Sequence, residues 1–167
     1  GLVNGETKAV LSGNLLREEG ENVRTYDIEI GSLSSNNYEI EFNSAELKIT
    51  PKELEVTQRE TLTYNGLEQK VLLDIKGIEF GDEIEFNKIT QKDAVIDKVV
   101  SLVSNSEKAT NYTFDNVLVT VAKKAITVTA NSKTKVYGES DPELDYEVTG
   151  LVNGETKAVL SGNLLRE

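Results

Sequence analysis

Four carboxylates crowd one short stretch, "YGESDPELD", as Glu139, Asp141, Glu143 and Asp145. Closely spaced oxygens are what a Ca²⁺ ion takes as ligands. The EF-hand loop pattern is absent, however, and Asp-Pro beside Gly and Ser is turn chemistry, so a structural turn is the favoured reading. Pairs of acids recur at a spacing of two, as Asp27/Glu29 and Glu39/Glu41. Two carboxylates suffice for glycoside hydrolysis. At that spacing they point to the same face of a strand, opposite the apolar residues, and a solvated strand face explains them better. The stretch "GLVNGETK" has the glycines of a phosphate loop but not the Gly-Lys-Ser/Thr opening a helix that the Walker pattern needs. Tyr64 and Tyr137 stand at equivalent places beside glycines, suited to stacking on a carbohydrate ring but more simply to packing a turn with the hydroxyl at its edge. No Lys and Asn or Asp pair is marked out for an isopeptide crosslink. The chain has no His and no Cys, which removes the commonest general base and zinc ligand, thiolate sites and disulfides. No catalytic, cofactor-binding or metal-binding residue is assigned, and the expectation is a protein that is not an enzyme.

Composition narrows the partners. The 167 residues carry 29 acidic and 18 basic side chains, a formal charge of −11. Phosphate backbones require basic clusters, so nucleic acid is not expected. A polybasic or amphipathic membrane-binding segment is missing and the apolar runs are too short to span a bilayer, so membrane insertion is not expected. The acidic surface keeps copies soluble and mutually repelling. No signal peptide opens the chain, and a piece of a longer secreted protein would lack one too.

The positioning elements are organised by repetition. The chain opens and closes on the same eighteen residues, "GLVNGETKAVLSGNLLRE", at Gly1–Glu18 and Gly150–Glu167. Such identity implies an array with a period of 149 residues, of which this chain is one period plus an overlap. A weaker repeat lies inside it. Tyr64 to Tyr137, Gly77 to Gly150 and Gly81 to Gly154 keep an offset of 73, Asn37 to Asn111 one of 74, and Lys52 to Lys124 one of 72. The period therefore holds two related units. Residues 1–51 read as the back part of a first unit, 52–123 as a complete second unit, and 124–167 as the front part of the next copy of the first.

Hydrophobicity alternates nearly everywhere. Tyr26, Ile28 and Ile30, then Tyr38, Ile40 and Phe42, then Leu47 and Ile49, are each interleaved with polar residues. So are Val117, Val119 and Val121, Ile126 and Val128, and Leu144, Tyr146 and Val148. Period two with Thr, Val, Ile and Tyr enrichment predicts strands. Gln91 to Lys108 is apolar on both faces except at Asp97-Lys98 and is read as strand over short helix. The fold class is all-β: tandem, small, antiparallel two-layer domains, with an immunoglobulin-like sandwich favoured over a β-grasp. Only Pro51-Lys52 separates "ELKIT" from "ELEV", and only Ala122-Lys123-Lys124 separates "LVTV" from "AITV". With no Gly/Ser- or Pro-rich spacer, a stiff string is expected. Pro51 fixes its own φ and holds Thr50 extended.

These residues resemble a known family. Ala125 to Glu167, continued by Glu19 to Lys52, is similar to the MBG repeat of the Tyr-Gly-x type. The matching features are Tyr137-Gly138, Asp141-Pro142, Gly150-Leu151-Val152-Asn153-Gly154, Leu160-Ser161-Gly162 and Asn37-Tyr38. Arg24-Thr25-Tyr26 stands where the family usually has Gly-Thr-Tyr. The middle unit, with Tyr64-Asn65-Gly66, Gly81-Asp82 and Asn111-Tyr112, resembles the related YDG-type repeat more loosely, Asn65 replacing Asp. The resemblance implies a bacterial cell-surface adhesin, located extracellularly, with no catalytic residues to carry over. The expected function is a tandem-repeat stalk segment that spaces a binding domain from the cell. A module binding a host glycan or protein is the alternative. The incomplete units at both ends predict that 124–167 of one chain completes 1–51 of another, head to tail, as a filament or a closed ring. A monomer whose two halves meet internally is the competing arrangement.

Overall fold

A computed structural model describes residues 1–165. The last two residues of the second repeated stretch, Arg166 and Glu167, lie outside the described residues. Thirteen strands and three short 3-10 turns make up the described chain. In order they are β1 (Leu16–Arg17), β2 (Thr25–Glu29), β3 (Ala45–Lys48), β4 (Lys52–Gln58), β5 (Leu62–Thr63), β6 (Gln69–Val71) and β7 (Leu73–Lys76). There follow β8 (Ile89–Gln91), β9 (Val95–Val100), β10 (Tyr112–Phe114), β11 (Val117–Ala122), β12 (Thr127–Ala130) and β13 (Tyr146–Thr149). The fold is all-β, built from sheets of two or three strands with orders β1-β2-β3, β10-β4-β7, β5-β11-β9, β12-β13 and β6-β8.

The chain forms two compact units. The first contains Gly1–Glu55, Gly77–Glu85 and Ser104–Phe114. Its antiparallel ladder sets Leu16 opposite Glu29 and Tyr26 opposite Leu47. Tyr26 is 1% exposed. Its hydroxyl donates to the Asn22 carbonyl at 2.8 Å, and the Arg24 guanidinium lies 3.9 Å from its ring centre, so the aromatic is buried with its one polar atom satisfied. Leu54, Ile84 and Tyr112 form the other buried group of this unit.

The second unit contains Val56–Lys76, Phe86–Val103 and the chain from Asp115 onward. Val117, Val119 and Val121 project from one face of β11 and are fully buried, as their spacing requires. Val71 and Ile89 face each other across β6 and β8 and are buried too.

Three expectations change in detail. Not every pair is antiparallel: β10 runs parallel to β4, and β5 parallel to β11. A parallel pair needs a long crossover, and the chain between β4 and β10 supplies one. The Tyr38-Ile40-Phe42 segment keeps its alternating burial but forms no ladder, so it is extended chain and not strand; alternation records one buried face, whereas a strand also needs a partner for its backbone. Gln91 to Lys108 begins on the last residue of β8, is strand again over Val95–Val100 and leads to a 3-10 turn at Glu107–Asn111. The ladder of β9 with β11 shifts between Val119 and Val121, where Asp97 takes a φ of 51° and its amide donates to Thr120 Oγ1 at 3.1 Å. The polar interruption seen in the sequence is thus a bulge.

Candidate functional site

Three four-residue turns share one geometry. In Val3-Asn4-Gly5-Glu6 the two central φ angles are 51° and 74°, and Glu6 N–H donates to the Val3 carbonyl at 3.0 Å. In Val152-Asn153-Gly154-Glu155 they are 50° and 73°, closed at 3.0 Å; in Glu79-Phe80-Gly81-Asp82 they are 54° and 73°, closed at 2.9 Å. Two successive positive φ values mark the type I′ turn, which favours Asn-Gly because few side chains tolerate the left-handed region. Phe80 occupies that region without Asn's tolerance of it.

Every one of these turns ends on a carboxylate, and every carboxylate holds a tyrosine hydroxyl. Tyr38 OH bonds Glu6 and accepts the Val3 amide at 3.1 Å. Tyr112 OH donates to Asp82 Oδ2 at 2.8 Å and accepts the Glu79 amide at 3.1 Å. One oxygen thus ties both ends of the turn to the strand or extended segment that carries the Asn-Tyr pair. At the third turn the partner differs: Tyr64 OH bonds Glu155. Burial, seconded by the Asp82 bond, pushes the Tyr112 hydroxyl above the ordinary tyrosine range. The Glu155 bond, then burial, does the same for Tyr64.

The Tyr64 contact is close along its length. Asn153 Nδ2 donates to the Gly66 carbonyl at 3.0 Å, and a Cβ at Gly66 would fall 2.5 Å from Asn153 Cβ, so only glycine fits there. Asn65 Oδ1 accepts the Leu67 amide at 2.9 Å and closes the tyrosine turn on itself. A cleft of about 340 Å³ opens beside Tyr64, lined by Ile126, Leu151, Val152, Lys123 and Glu155 among others. Its lining combines apolar side chains with the charged Asp93, Lys123, Lys124 and Glu155, and the Glu155 carboxylate already bonds the Tyr64 hydroxyl.

The candidates from the sequence fall out as follows. Tyr64 is half-buried and packs a turn, while Tyr137 is fully solvent-exposed (102%). The four acids of 139–145 do not converge: Asp141 pairs with Lys135, Asp145 with Lys133 at 3.0 Å, and Lys135 Nζ also donates to the Glu139 carbonyl. The Lys133 bond holds the Asp145 carboxyl below the usual carboxylate range. Among the described residues no group of three or more acidic, His or Cys side chains could hold a metal ion. Asp27, Glu29, Glu39 and Glu41 are exposed. The roles of Tyr38 and Tyr112 escaped the sequence reading. Their signal was available: Asn-Tyr recurs at 74 and the Gly-x-x-x-Gly-Asp/Glu stretch at nearly the same interval, so turn and tyrosine repeat together.

No helix among the described residues is long and apolar enough to cross a membrane. A family model described as the MBG domain (YGX type) matches residues 1–48 and 126–167, more than half of the chain. Nothing among curated proteins or solved structures matches it.

Proposed function

This chain belongs to the MBG domain family (YGX type), a repeat family of bacterial surface and adhesin proteins, and on that premise we propose that it is a stalk segment, a run of β modules spacing a binding domain from the cell. The observation that carries the reading is the turn with its tyrosine-bonded carboxylate, which recurs in each copy of the repeat at Glu6, Asp82 and Glu155. A motif rebuilt in every unit, with its hydrogen bonds spent internally, suits a structural module more than a ligand site.

Residues 1–51, 52–123 and 124–167 are the parts of successive modules in this proposal, each complete module an immunoglobulin-like two-layer sandwich. The joints support it. β3 ends at Lys48 and β4 starts at Lys52, with Pro51 between; β11 ends at Ala122 and β12 starts at Thr127. Three or four residues leave few free dihedrals. Copies of the same repeat, head to tail, are the partners. Chains of one, two and three periods measured by small-angle scattering test the reading: the maximum dimension should grow by a constant increment per period. A size that grows only as the cube root of mass refutes it.

One observation favours the alternative of a binding module. Tyr137 and Val136 stand fully or largely exposed beside Gly138, as a side chain for stacking on a host glycan or protein would. Saturable binding on a glycan array, lost in Tyr137→Ala, would establish that reading.

A further inference from the structure

The stretch Gly1–Lys8 recurs letter for letter at Gly150–Lys157, and each copy carries an Asn-Gly pair at the centre of a turn. Asn-Gly is where an asparagine amide is most readily lost, because glycine leaves its own nitrogen free to reach the neighbouring side-chain carbon. The two turns share one backbone, with φ of 51° and 74° at Asn4-Gly5 and 50° and 73° at Asn153-Gly154, each closed at 3.0 Å. Both asparagines are exposed, so water reaches each of them. What differs is the hold on the side chain.

Asn153 Nδ2 donates to the Gly66 carbonyl at 3.0 Å. A carbonyl only accepts, so the amide nitrogen and not its oxygen faces Gly66. The approach is tight: a Cβ at Gly66 would fall 2.5 Å from Asn153 Cβ and 3.3 Å from Nδ2. Two residues further on, the Tyr64 hydroxyl bonds Glu155 and fastens the same pair of turns. Among the described residues no hydrogen bond holds the Asn4 side chain. Its turn is tied through Tyr38 to Val3 and Glu6 on either side.

We propose that Asn153 is a self-modifying site, an amide that latches this contact and is destroyed once the contact opens. The inference goes beyond the stalk reading and needs only the contact and water. The Gly154 backbone nitrogen attacks Asn153 Cγ; the N–Cγ bond forms, the Cγ–Nδ2 bond breaks, and the amide proton leaves with ammonia by way of water. A second water opens the succinimide ring at one carbonyl or the other, giving aspartate or isoaspartate. Ring closure requires Cγ to turn onto Gly154, which it does not do while Nδ2 donates to Gly66, so the reaction runs from the locally opened state. The step is one-way. A carboxylate has no hydrogen to give the Gly66 carbonyl, and it adds a negative charge two residues from Glu155. Isoaspartate lengthens the backbone of a turn whose neighbour leaves no room for a methyl group.

The test compares two sites of identical sequence in one molecule. The intact chain is aged in mildly alkaline buffer and digested with trypsin, and the Gly1–Lys8 and Val136–Lys157 fragments are analysed by mass for lost amide and isoaspartate. Unfolded in urea, the two sites should react at the same rate. Folded, Asn153 should react several-fold more slowly than Asn4. Tyr64→Phe, which removes the bond to Glu155 and keeps the ring, should speed Asn153 several-fold and leave Asn4 unchanged. Asn153→Asp, which imitates the product, should lower the urea midpoint of the chain more than Asn4→Asp does. A folded chain in which Asn153 reacts as fast as Asn4, a Tyr64→Phe chain in which Asn153 does not gain on Asn4, or equal midpoints for the two aspartate variants would overturn the proposal.

Discussion

Replacing Tyr112 by Phe removes one oxygen from the turn that ends at Asp82 and leaves the ring in place. Tyr112 is 7% exposed, and its hydroxyl joins Asp82 Oδ2 at 2.8 Å to the Glu79 amide at 3.1 Å. A hydrogen bond to a charged group contributes about 1.5–3 kcal/mol and one to a backbone amide about 0.5–1.5 kcal/mol. Asp82 is half-exposed and Glu79 exposed, so water replaces part of both. The expected loss for Tyr112→Phe is therefore about 2 kcal/mol. Urea titration followed by circular dichroism measures it, provided the slope m is unchanged. Hydrogen exchange at the Glu79 amide supplies a local readout and should accelerate. Tyr38→Phe, at a half-buried residue whose hydroxyl joins Glu6 and the Val3 amide, should lose less. A loss for Tyr112→Phe below about 0.5 kcal/mol, the lower limit for a single bond, or unchanged exchange at Glu79, would refute the claim that this oxygen holds the turn.

Val119 is 0% exposed, so Val119→Ala removes two buried methyl groups and opens a small cavity; at about 0.8 kcal/mol per group plus the cavity, urea titration should show a loss of about 2–3 kcal/mol. Phe80 is 84% exposed at a φ of 54°, where the equivalent turns carry Asn, so Phe80→Asn should stabilise by about 0.5–1 kcal/mol in the same assay. Gly150→Ala should cost about 1 kcal/mol or more, because φ is 93° and the new Cβ meets the Ala125 carbonyl at 3.3 Å. Tyr112 and Tyr64 have hydroxyls raised above the ordinary value of 10.0 in the folded state. Their contribution is complete below the unfolded pKa and is lost as pH rises through the folded one, so tyrosinate absorbance should show both titrating after the unfolded chain's tyrosines, and Tyr64→Phe should remove one late step.

Much of this protein is local, and the local part was readable. The two copies of "GLVNGETKAV" adopt the same backbone: Thr7 at φ −119° and ψ 178°, Thr156 at −119° and 177°, each followed by the same 3-10 turn. Asn-Gly takes positive φ at both residues at 4–5 and 153–154 and at the glycine alone at 65–66, and alternation commits a segment to one buried face, because both follow from sterics within a few residues. The buried valines of β11 were legible for that reason; at Asp97 the sequence showed only a polar interruption, and the ladder with β11 made it a bulge. Partners across the chain were not. Glu6 and Glu155 sit in identical sequence, yet Tyr38 bonds one and Tyr64 the other. Tyr64 and Tyr137 stand at equivalent positions, yet one is packed and the other bare. Nothing in the pattern of Tyr38 to Phe42 distinguishes a paired strand from an unpaired one, and nothing in β10 announces a parallel neighbour. A residue's own neighbours set its backbone angles and its buried face, so the sequence alone determined the turns, the alternation and the repeat; which distant group meets that face depends on what the rest of the chain brings within reach, and only the tertiary structure decided it.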